Sequence, residues 1–136
     1  MNRKSAAIFI LAGAFAGVAH AASMKESICN SASNEGEMYQ CLKHQFNKAD
    51  ATLNQSYKTL VARYKNNGIQ QAQGAKPQDS YLKEAQIAWI KFRDESCDFE
   101  TYEAITGSGF GTIYTACLLG KTLERVKYLQ WYVEHP

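Results

Sequence analysis

Cys29, Cys41, Cys97 and Cys117 are the residues of this chain best suited to covalent or metal chemistry, and their spacing decides which kind. Structural zinc is held by ligand pairs two to four residues apart, whereas this sequence has no C-x-x-C and no closely spaced Cys/His pair. An even number of thiols behind an export signal reads instead as two disulfides. A C-x-x-C-H haem attachment and an E-x-x-H metal pair are also absent. Nucleophilic catalysis needs a base within reach of a serine or thiol. His44 falls on the polar side of a helix, His135 lies at the end of the chain, and the thiols are expected to be oxidised. The acid pairs Asp94 with Glu95 and Glu100 with Glu103 read as solvated helix faces. The reading is therefore of a protein that is not an enzyme and uses no cofactor or metal.

The other concentration of chemistry is the run from Ala85 to Cys97, where Trp89, Arg93 and Cys97 follow one another at helical spacing. Ala85, Trp89, Phe92 and Ser96 recur at four, three and four, one apolar stripe on a helix. Arg93 sits between a large ring and a thiol on the flank of that stripe, so it must meet an acceptor on a neighbouring element. Trp89 and Arg93 admit two readings, a recognition surface or a core ring with a tie between helices. Packing favours the second.

Export is written at the start of the chain. Arg3 and Lys4 precede an apolar run from Ala6 to Val18 and a small-x-small site, Ala19-His20-Ala21, the pattern of a Sec-type signal peptide over residues 1–21. The run of about 13 residues is too short for a ~30 Å hydrocarbon core. The first cysteine is Cys29, so no lipid-bearing cysteine stands at the cleavage point, and a periplasmic or secreted protein without a stable membrane anchor is expected. Residues 22–136 form a single domain with one core. Taking Arg3 and Lys4 from the 15 basic residues leaves as many cations as the 13 acidic ones. A mature charge of zero gives no basis for a nucleic-acid groove or general attraction to anionic membranes.

Three elements must position these residues. Ala22 to Ser33 is an irregular arm, and Asn34-Glu35-Gly36-Glu37 has the form of a capping box. Met38, Leu42, Phe46, Ala49, Leu53, Tyr57, Leu60 and Tyr64 then make a sustained helical stripe, stopped by Asn66-Asn67-Gly68. Ile69 to Gln78 is a loop, and Asp79 or Ser80 caps a second helix with Leu82, Ala85, Trp89, Phe92, Ser96 and Phe99 on its buried side, broadened by Ile90. A glycine-rich loop from Thr106 to Gly111 precedes a third helix from about Thr112. That helix buries Ile113, Ala116, Leu118 or Leu119, Leu123, Val126, Leu129 and Val133. No segment alternates with period two, so the fold expected is all-α, a small disulfide-stabilised bundle of three main helices.

Folding the first two helices about the intervening loop sets Leu53 opposite Arg93 and Tyr57 opposite Trp89, with Asp50 and Asn54 flanking Arg93. An Asp50 to Arg93 contact follows, with Asn54 and Gln86 filling the remaining bonds. The same argument for the second and third helices brings Cys97 within a turn of Cys117, favouring that bridge and leaving Cys29 with Cys41. Cysteines twelve apart on one straight helix would stand ~18 Å from each other, so the arm must fold back. All three connectivities stay open.

With these residues in view, the chain resembles the exported bacterial proteins grouped as LprI-like lysozyme inhibitors. The resemblance rests on Cys29 and Ala32, Asn34-x-x-Glu37-Met38, Cys41, Ala49-Asp50-x-x-Leu53-Asn54-x-x-Tyr57, Ala85-Gln86-x-Ala88-Trp89-x-x-Phe92-Arg93-Asp94-x-x-Cys97, the glycine loop, Cys117 and Thr122-x-x-Arg125. It implies a small, helical, disulfide-bonded periplasmic protein and inhibition of c-type lysozyme by protein–protein contact. Such an enzyme cleaves through two carboxylates, so an inhibitor should offer donors or cations on a protruding element. Ser108, Gly109 and Phe110 at the loop tip, helped by Lys121, are the candidates. The competing class is a structural or regulatory envelope module that acts on another protein.

Overall fold

The computed structural model is described over residues 28–65 and 74–136, and contains helices α1 (Glu35–Lys65), α2 (Gln78–Glu100) and α3 (Phe110–Glu134), with a 3-10 turn at Tyr102–Ala104. No strand occurs among the described residues, and the all-α, three-helix expectation holds. The signal segment over 1–21 and the helix stop at Asn66-Asn67-Gly68 lie outside the described residues.

α1 begins at the expected box. Asn34 Oδ1 accepts from the Glu37 amide at 3.0 Å, and Glu37 Oε2 accepts from the Ser33 amide at 2.8 Å, one residue upstream of the usual return bond. Glu35 and Glu37 in the first turn and Arg63 and Lys65 in the last complement the helix dipole at both ends. α2 starts earlier than expected. Pro77 is its N-cap, without a side-chain bond, so Asp79 and Ser80 lie inside the first turn. There Asp79 takes Lys83 Nζ at 2.7 Å.

Both bridges are the favoured ones: Cys29–Cys41 with Cα atoms 6.0 Å apart, and Cys97–Cys117 with Cα atoms 5.8 Å apart. The arm thus folds back on α1, and no cysteine is free.

α1 and α3 run parallel and share the main interface, with α2 antiparallel across them. At one end Gly111 of α3 lies against the Tyr39 ring. At the other, Arg63 of α1 donates to the carbonyls of Tyr132 and Val133 at 2.6 and 2.8 Å, which satisfies C-terminal carbonyls that α3 cannot pair internally. The core has two parts. Cys29, Leu42, Ala49 and Leu119 make one, and Leu53, Leu60, Val126 and Leu129 make the other, against which the partly buried Leu82 and Trp89 of α2 pack.

The buried side of α2 differs from the expected stripe. Asp79, Gln86 and Cys97 are buried, whereas Ala85, Ile90, Phe92 and Phe99 are exposed, Phe99 by 82%. The bridge explains this rotation. Cys97 must face Cys117, and at 100° per residue Asp79, Gln86 and Arg93 fall within about 40° of Cys97, while Phe99 falls about 200° away. On α3 Ile113 is likewise exposed, and its neighbour Thr112 is buried instead.

Candidate functional site

The Trp/Arg motif lies between α2 and its neighbours. The Arg93 side chain is only 11% exposed. Its Nε donates to Asp94 Oδ1 at 2.8 Å, its Nη1 reaches Thr122 Oγ1 at 3.5 Å, and its Nη1 stands 3.8 Å from Asp50 Oδ1. The expected Asp50 contact therefore exists as an ion pair just beyond hydrogen-bond range, and the adjacent Asp94 takes the direct bond. Asn54 supports it by donating to Asp50 Oδ2 at 3.0 Å. Contrary to the expectation from helix pairing, Gln86 does not serve Arg93; its Oε1 accepts from Arg125 Nε at 3.1 Å.

Aromatic rings complete the arrangement. The Arg93 guanidinium lies 5.6 Å from the Phe46 ring centre and 5.3 Å from that of Trp89. Arg125 lies 5.6 Å from the same Trp89 ring and 4.9 Å from Tyr128. Two cations thus share one indole, each attracted to the negative ring face. Burial draws the Arg125 guanidinium below its ordinary value, which still leaves it charged at neutral pH. Tyr57 packs against the second core. Asp50, Asn54, Gln86, Trp89, Arg93, Asp94 and Arg125 are thereby brought together as a tie between the helices, with Tyr57 one turn along.

The second place is the pole braced by Cys97–Cys117. Of the four residues proposed to touch a partner, Ser108 alone is exposed. Gly109 is the α3 N-cap and half-buried. Phe110 is not at a loop tip: it is the first residue of α3, half-buried, with its ring 5.5 Å from that of Tyr114. Lys121 stands about 16 Å further along α3. There its Nζ bonds Glu100 Oε1 at 2.8 Å and lies 5.6 Å from the Phe92 ring.

What the sequence reading missed at this pole is a line of exposed apolar side chains. Phe92, Phe99, Tyr102 and Ile105 are 61%, 82%, 71% and 58% exposed. Their spacing of seven, three and three is the signal that could have found them, once α2 is known to continue into a 3-10 turn. Asp98 on the same stretch acts on Tyr114, whose phenol is raised above its ordinary value by burial first and by that carboxylate second.

His44 is exposed on α1, and His135 sets Nδ1 2.8 Å from the Trp131 carbonyl. Among the described residues no three His, Cys, Asp or Glu side chains stand together as a metal site, and no helix is long and apolar enough to cross a membrane.

Comparison with known proteins shows which family this sequence falls in. The family model described as Lysozyme inhibitor LprI matches residues 29–129, a span that holds both disulfides and the whole tie between the helices. An uncharacterized protein of Rhizobium meliloti is 32% identical over 117 residues, covering 83% of this chain and 84% of its own. The uncharacterized protein YecT of Escherichia coli is 30% identical over 102 residues, covering 68% of this chain and 60% of its own. No solved structure matches. On the extent of the family match and the relatives' identity, the chain belongs to the LprI lysozyme-inhibitor family.

Proposed function

We propose that this protein is exported, loses residues 1–21, and inhibits c-type lysozyme by direct contact. The observation that carries the reading is the family match over residues 29–129, which takes in both disulfides and everything between them. Physical support comes from rigidity. A body whose N-terminal arm and α2–α3 connection are closed by Cys29–Cys41 and Cys97–Cys117 gives up less conformational freedom there on binding, so more of its contact energy becomes affinity. The Cys97–Cys117 pole, with Ser108 exposed beside it, is the end of the molecule that meets the enzyme.

The test is titration calorimetry of the purified, oxidised mature protein with a c-type lysozyme. A one-to-one complex is expected. Absence of heat and of a complex at micromolar protein ends the inhibitor reading.

A further inference from the structure

The exposed ladder at the disulfide pole carries charge as well as apolar area. From Lys91 to Thr106 the chain has Lys91 and Arg93 against Asp94, Glu95, Asp98, Glu100 and Glu103, a net charge of −3, which Lys121, paired with Glu100 beside the Phe92 ring, reduces to −2 at this pole. Arg93 is spent inside the molecule on Asp94, and Lys91 reaches Glu95 only at 3.5 Å on an exposed face. Asp98 and Glu103 are exposed and take part in no ion pair among the described residues. Phe92 and Phe99 are two turns apart on one face of α2. The amides of Thr101, Ala104 and Ile105 bond back to Cys97, Thr101 and Tyr102, which carries the helical path on to Ile105. Tyr102 and Ile105, three apart, then eclipse each other in the 3-10 turn.

A row of aromatic and aliphatic side chains rimmed by carboxylates has the form of an interface core with an acidic rim. It is complementary to a cationic protein. A glycosidase that works on anionic cell-wall polymer gains encounter rate from positive surface beside its cleft. Its catalytic carboxylates would repel this pole.

Resting on the inhibitor reading above, we infer that the Phe92–Phe99–Tyr102–Ile105 ladder and its acidic rim dock on the cationic flank of the lysozyme cleft. Substrate is then excluded by bulk. No cation from the inhibitor enters between the enzyme's two carboxylates. Phe99 and Tyr102 are the anchors, held in place by the Cys97–Cys117 bridge immediately beneath them.

The experiment compares four full-length mature proteins: wild type, Phe99→Ser with Tyr102→Ser, Phe110→Ala, and Ile87→Ser, an exposed apolar residue on another face of α2. Each is checked for an unchanged melting temperature and then titrated against lysozyme at low and high salt. The double variant is expected to bind about thirtyfold more weakly or worse. Phe110→Ala and Ile87→Ser should match wild type, and wild-type association should slow about tenfold from ~50 to ~500 mM salt. A double variant that binds like wild type, or a loss seen only with Phe110→Ala, overturns the ladder while leaving the inhibitor reading in place. A wild-type dimer dispersed by the double substitution, with lysozyme binding intact, also overturns it by assigning the ladder to self-association. A wild type that binds no lysozyme ends both.

Discussion

Arg93 holds its guanidinium 5.3 Å from the centre of the Trp89 ring one turn before it on α2, and Arg125 of α3 stands 5.6 Å from that same ring. Like charges brought this close repel unless each is compensated. Asp94 and Asp50 compensate Arg93, whereas Arg125 has the Gln86 carbonyl and the Tyr128 ring. The motif is thus a joint through which α2, whose inward face is otherwise poor in apolar residues, is held to α1 and α3.

Arg93→Ala should lower stability by about 2 kcal/mol, the loss of a charge-assisted bond and of its ring contacts together. Arg93→Lys should recover only part, because an ammonium cannot present two edges to Asp94 and Thr122 at once. Urea unfolding of the three proteins measures this; an unchanged midpoint for the alanine variant would show that the joint holds nothing.

The rotation of α2 gives a second prediction. Phe92→Ala, at a side chain 61% exposed, should cost well under about 1 kcal/mol. Leu53→Ala, at a side chain 2% exposed, should cost about 3 kcal/mol. Equal losses in chemical denaturation would restore the stripe expected from periodicity and contradict the burial described above.

The bridge between Cys97 and Cys117 spans 20 residues of sequence. Replacing both with serine should cost about 3 kcal/mol through the freedom regained by the unfolded chain. Peptide mapping of the oxidised protein should recover the 29–41 and 97–117 pairs and neither alternative connectivity.

Asp79 supplies a pH dependence. Its bond to Lys83 is the largest influence holding the carboxyl below its ordinary range. A group with a lowered native value stabilises fully above the unfolded carboxylate value and ceases to do so as pH falls through the native one. Wild type should therefore lose stability relative to Asp79→Asn only on acidification below the ordinary aspartate range. The difference between their urea midpoints should be flat from there to neutral pH. A difference that changes around pH 6 to 7 would implicate another group.

Much of this fold is legible in the residues because periodicity and caps agree. The α1 stripe from Met38 to Tyr64 packs as its spacing requires, and the antiparallel register brings Asp50 to Arg93 and Cys97 to Cys117. The face of α2 was harder to read. Apolar periodicity selects Phe92 and Phe99, but the covalent bond at Cys97 fixes a different face, one that includes the polar Gln86 and Arg93. Hydrophobicity carries no information about a crosslink, so the stripe and the bridge conflict and the bridge wins. The ladder at the pole was hidden for the same reason, Phe92 and Phe99 having been assigned to the core, while Tyr102 and Ile105 lie in the 3-10 turn that periodicity did not reach. Arg63, which caps α3 from α1, leaves no sequence signal because its acceptors are backbone carbonyls.

The measurement closest to the central claim is the clearing of a cell-wall suspension by c-type lysozyme while the oxidised mature protein is titrated in. The account predicts that clearing slows in proportion to added protein and stops near equimolar amounts once the enzyme concentration exceeds Kd. Undiminished clearing in the presence of a micromolar excess of correctly bridged protein would contradict it.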